Sequence, residues 1–131
     1  MTVLLGTGAA VALVNKRDQW HTKAKRRLRL LQKRRVRLLL TNFVVGEIYA
    51  LLLARLGGGV ARQWLSTNDV AVERVTEADE SRAKAILLQY TDKDFSYVDA
   101  TSFAVMERHG LKTAFTFDRH FIQYGFTIYG E

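Results

Sequence analysis

A chain of 131 residues suffices for one domain that buries roughly two thirds of the surface exposed on unfolding, and a 48% apolar share argues against disorder. The lack of cysteine excludes a disulfide framework and a thiolate zinc site. No apolar run approaches the ~20 residues of a membrane helix, and no basic stretch precedes the first apolar run as in a secretory signal, so the expectation is a soluble, cytoplasmic protein without a membrane role.

Lys and Arg number 20 against 13 Asp and Glu, a net charge of +7 that favours an anionic partner, nucleic acid first. Along the chain, Val3-Leu4-Leu5 reads as a short buried strand, and Ala9 to Asn15 as a short helix. From Trp20 to about Arg35 the pattern is helical, with Ala24, Leu28 and Leu31 on one face. Val36 to Leu40 is a second apolar strand, and Asn42 is placed to cap a helix running to about Leu56. Gly57-Gly58-Gly59 breaks that helix, a short one follows through Leu65, and Val70 to Val75 alternates as a strand does. Thr76, with Asp79 three residues on, opens a helix ending near Tyr90. Ser96-Tyr97-Val98-Asp99 opens another that stops at His109-Gly110. Ala114 to Phe117 is a strand, Asp118 to Phe121 a turn or short helix, and Phe126 to Tyr129 a last strand. Alternating strands and helices with no linker or repeat predict a single α/β domain over residues 1–131, a mostly parallel central sheet flanked by helices in three α/β/α layers.

The turn Gly6-Thr7-Gly8 invites a nucleotide-phosphate reading. A dinucleotide fingerprint, however, needs Gly or Ala where Val11 stands, and no Gly-Lys-Ser/Thr sequence exists for a phosphate-binding loop. Three acids fall at strand ends or helix starts, where open parallel sheets place their sites: Glu47, Asp99 and Asp118. Singly, each has an ordinary explanation. Asp99 completes a capping box with Ser96, Asp118 caps the next turn, and Glu47 is a solvated acid. Gathered at one sheet edge, they would repel unless a hard divalent cation neutralised them.

The stretches TNFVVGEIYALL, FSYVDATSFAVM and FTFDRHF, with the opening GTGAAVALVNKRDQWH, resemble the PIN-domain ribonucleases, in particular the VapC-like toxins of toxin–antitoxin pairs. The resemblance spans nearly the whole chain, in order. It implies a divalent-metal-dependent endoribonuclease that hydrolyses RNA phosphodiesters with Mg²⁺ or Mn²⁺ held by Glu47, Asp99 and Asp118. It also implies a homodimer and a small VapB-like antitoxin partner. Where the family has a further aspartate, this chain has Gly6, which implies weakened or lost catalysis. Thr7 and Thr116 are candidates to hydrogen-bond ligand carboxylates or metal waters.

Between Asp18 and Glu47 there is no acid, and nine Lys and Arg crowd one helix and its exit. Lys25, Arg26, Arg29 and Arg34 are the candidate RNA contacts in this stretch. His21, His109 and His120 are far apart in sequence and carry no metal-ligand spacing; His109 beside Gly110 reads as a helix-end residue, Trp20-His21 as structural, and Asp94 as a loop acid near the pocket rim. A non-catalytic RNA- or antitoxin-binding module on the same fold is the alternative function.

Overall fold

In the computed structural model, which describes residues 1–131, five short strands form one sheet in the order β3-β2-β1-β4-β5. The strands are β1 (Thr2–Leu5), β2 (Arg37–Thr41), β3 (Ala71–Glu73), β4 (Thr113–Phe115) and β5 (Thr127–Ile128), and every pairing is parallel. Parallel neighbours need helical crossovers. These are α1 (Thr7–Val14), α2 (His21–Lys33), α3 (Asn42–Leu56), α4 (Gly58–Thr67), α5 (Glu77–Gln89), α6 (Tyr97–His109) and α7 (His120–Tyr124).

Side chains alternate across the sheet and divide the core in two. Val3, Leu5, Leu40 and Phe115 face a cluster built with α1, α2, α3 and α4. Leu4 and Ala114 face a second one, built with α5, α6 and α7. The result is the expected α/β/α sandwich. Ala24 and Leu31 of the anticipated α2 stripe are buried, and Leu28 is half-buried.

Local signals set most boundaries. Thr76 with Asp79, and Ser96 with Asp99, both form complete capping boxes. Gly110 ends α6 at φ 67°, the left-handed conformation that favours glycine. At α3 the cap is Thr41, not Asn42: the Thr41 hydroxyl accepts the Val44 N–H at 3.1 Å. Asn42 instead accepts the Val75 N–H at 2.7 Å, tying α3 to the end of β3. Thr41 is fully buried, so its hydroxyl has no water to turn to.

Candidate active site

The carboxyl ends of β1, β2 and β4 bring the predicted residues to one edge of the sheet. Gly6 caps α1 without a side chain, and its N–H donates to the Phe115 carbonyl at 2.9 Å, extending the β1–β4 pairing. The approach is tight. A Cβ on Gly6 would stand 2.9 Å from both the Cβ and the Oγ1 of Thr116. One residue on, the Thr7 hydroxyl donates to Glu47 Oε1 at 2.5 Å, so α3's acid is tethered to the start of α1.

On the other side of Gly6, Thr116 is buried and its Oγ1 accepts the Asp118 N–H at 3.0 Å. Asp118 Oδ1 in turn accepts the His120 N–H at 2.9 Å, an Asx-type turn that aims the imidazole back over the carboxylates. His120 Nδ1 lies 2.9 Å from Asp99 Oδ2 and 3.4 Å from Asp118 Oδ1. Asp99 Oδ2 also accepts the Ser96 N–H of the α6 capping box, at 3.0 Å. Capping and membership of the site are therefore compatible, because one carboxylate has lone pairs for both.

The ligand-capable atoms of Asp99, Asp118 and His120 all lie within 4.8 Å of one another. Glu47 is not in this group; it stands on the Thr7 side of Gly6. Asp94 is exposed and does not join it either. His120 corrects the sequence reading, which saw no metal-ligand spacing among the histidines: its partner Asp99 is 21 positions away, and only the Asp-x-His spacing with Asp118 is local. His21 is structural as expected, with Nδ1 2.7 Å from the Ala12 carbonyl. His109, the last residue of α6, faces Glu73 at 3.3 Å.

Aromatic packing fixes the imidazole. Phe95 meets the His120 ring edge-on at 5.5 Å, and Phe103 packs Phe121 and Tyr124 of α7 at 5.0 and 4.5 Å. Burial first, and then the bond to Glu107, push the Tyr124 phenol up to about 12, so it stays protonated and donates to Glu107 Oε2 at 3.0 Å.

Two carboxylates and an imidazole nitrogen within 4.8 Å of one another are donors that a hard or borderline divalent ion accepts, and nitrogen favours Mn²⁺ over Mg²⁺. The residues present fit such an ion.

Beside this acidic edge, α2 presents its cations. Lys23, Arg26, Arg27, Arg29 and Lys33 line a surface cavity of about 670 Å³ closed by Gly130. No α2 residue pairs with a carboxylate. Of the candidate RNA contacts, Arg26 and Arg29 face this cavity. Lys25 is exposed outside it, and Arg34 lies 3.5 Å from the Tyr129 hydroxyl.

The PIN-domain family profile matches residues 3–127. The 23S rRNA-specific endonuclease VapC20 of Mycobacterium tuberculosis is 35% identical over 127 residues, 95% of each chain. Its crystal structure, described as a Sarcin-Ricin loop cleaving toxin, superposes with a TM-score of 0.85 at 34% identity, covering 95% of this chain and 96% of that one. VapBC2 from Rickettsia felis, bound to a DNA fragment from their promoter, shares the fold with a TM-score of 0.75 at 15% identity, covering 98% and 97%. FitAcB from Neisseria gonorrhoeae shares it with a TM-score of 0.66 at 18% identity, covering 99% and 97%.

Proposed function

The chain belongs to the PIN-domain family, in its VapC-like branch, and from that premise we propose that it is a divalent-metal-dependent endoribonuclease toxin weakened at Gly6. The observation that carries this reading is the meeting of Asp99, Asp118 and His120 at the carboxyl edge of a parallel sheet, with Glu47 tethered nearby by Thr7. In this reading Asp99, Asp118 and Glu47 would hold Mg²⁺ or Mn²⁺, with His120 beside Asp99 as a further donor. A divalent cation so held lowers the pKa of water and offsets charge on the phosphate. Thr7 orients Glu47, and Thr116 orients Asp118 through its N–H. The α2 cations draw the RNA backbone toward the acids.

Gly6 leaves the site one carboxylate short of the family pattern, so the hold on a dication is weaker. An aspartate there would also cap α1. The relatives are rRNA endonucleases, so the substrate class proposed is ribosomal RNA met in the cytoplasm, with a homodimer and a small VapB-like antitoxin as the assembly.

The test is divalent-dependent cleavage of RNA by this chain and by Gly6→Asp. The variant is expected to be faster by about 10- to 100-fold, at least the cost of losing a partner outside the ligand shell. Equal, robust cleavage by both would refute the weakening. The missing acid also favours a second reading, a non-catalytic module that binds RNA or an antitoxin. Mn²⁺ titration by calorimetry separates the two, since only the first predicts heat that disappears in Asp118→Asn.

A further inference from the structure

Trp20 is 37% exposed and its ring packs against Phe117, the residue before Asp118. That ring lies parallel on Phe117, with centroids 4.9 Å apart and planes within 7°. Phe117 immediately precedes Asp118 in the chain, so the stacked pair is anchored at the acidic edge. The support is rigid on its other side too. The Trp20 N–H donates to Asp18 Oδ1 at 2.8 Å, and the next residue, His21, is held to the Ala12 carbonyl.

A cation sits over each ring. The Lys23 ammonium lies over the Trp20 ring and the Arg27 guanidinium over that of Phe117, each 5.2 Å from the ring centre. Neither has a carboxylate partner, and Arg27 Nη1 is buried with no hydrogen-bond acceptor. A buried guanidinium nitrogen without an acceptor is costly, and here it is packed between the Phe117 ring and Gly130.

We propose that Trp20, supported by Phe117, is a stacking platform for an unpaired nucleobase of the substrate, with Lys23 and Arg27 taking the phosphates beside it. The Trp20 ring is stacked on Phe117 and has the flexible Lys23 ammonium over it, so a base stacks when that ammonium swings from the ring to a phosphate. A base inside a duplex has no free face to offer. The platform therefore selects RNA whose nucleotide next to the acidic edge is unstacked, and Trp20 is a specificity residue, with no part in the chemistry. This inference rests on the RNA reading above.

The experiment measures binding, so that it does not depend on cleavage. Trp64→Phe leaves Trp20 as the sole tryptophan of the chain. In that protein, at about 50 mM salt, where phosphate contacts are strong, Trp20 emission is followed while an unpaired RNA octamer is added, then its duplex, then an octamer with abasic sites. Quenching by the unpaired octamer alone is expected. Trp20→Ala should weaken binding of that octamer by about 5- to 150-fold, the range that base–aromatic stacking spans, and leave duplex binding unchanged. Trp20→Phe, which keeps a ring on Phe117, should restore most of the affinity, whereas a merely structural role would lower thermal stability and leave the octamer's affinity alone. Binding of the octamer without quenching overturns the platform and leaves the RNA reading intact. No binding of any RNA overturns both.

Discussion

Gly6 and Thr116 touch where a side chain on the first would have to displace the second. Thr116 cannot swing aside cheaply, because it is buried and holds the Asp118 N–H. Gly6→Ala is therefore expected to destabilise the fold by about 1–3 kcal/mol, as overpacking does, read from the midpoint of urea unfolding. No loss would mean that Thr116 yields freely. The same variant separates the packing cost from the charge that Gly6→Asp adds. Glu47, Asp99 and Asp118 were legible as acids at strand ends and helix starts, and the turns they occupy are local in sequence. The place of His120 was not, because its contact with Asp99 is made by the fold, and neither was the closeness of Gly6 to Thr116, which lies across the β1–β4 pairing.

Among the elements, α5 and α6 are joined by two guanidiniums, Arg82 on Glu107 and Arg108 on Asp79. Arg108 donates to Asp79 Oδ1 and Oδ2 at 3.0 and 2.8 Å and to Glu73 at 3.2 Å, reaching from α6 to the start of α5 and the end of β3. The Arg108 hydrogen bonds come first among the causes that hold the Asp79 carboxyl below the usual carboxylate range. A lowered folded value means that this stabilisation is present above the ordinary carboxyl value near ~3.9 and is lost as pH falls through the lowered one. Arg108→Ala should therefore cost about 2 kcal/mol at neutral pH, as loss of a charged hydrogen bond does. It should also flatten the fall in stability below about pH 4, seen as urea midpoints across an acid series. An unchanged acid profile would place the acid sensitivity elsewhere. Helix ends of this kind were readable because each box lies within four residues. The cap of α3 was misplaced by one residue because Asn42 has a distant acceptor role at Val75 that no local pattern announces.

Across the whole molecule, the cations of α2 gather around one cavity without acid partners, while Glu47 of α3, Asp99 of α6 and Asp118 of the β4–α7 turn carry the acids of the candidate site. RNA affinity should fall steeply with salt, by about 0.7 in the logarithmic slope for each single-strand phosphate engaged. Replacing Arg26 and Arg29 with Gln should flatten that slope by more than about 1, in filter-binding titrations between low and physiological salt. A flat response in the parent chain would remove α2 from the interface. The alternation of strands and helices made the sandwich readable from the chain alone. The partner of each strand was less so, because parallel strands far apart in sequence carry no pairing signal in a turn.

The strand order has a bearing on birth as well as on work. β1 lies between β2 and β4, with Leu4 beside Ala114, and Asp118 and His120 follow β4 directly. During translation β1 emerges before β2, β3 and the helices α1 to α6, and must wait for all of them before its second neighbour, β4, arrives. Such long-range pairing is also slow to form. For a protein whose proposed target is the RNA of ribosomes, the dangerous edge comes into being only once β4 and the turn after it have been made.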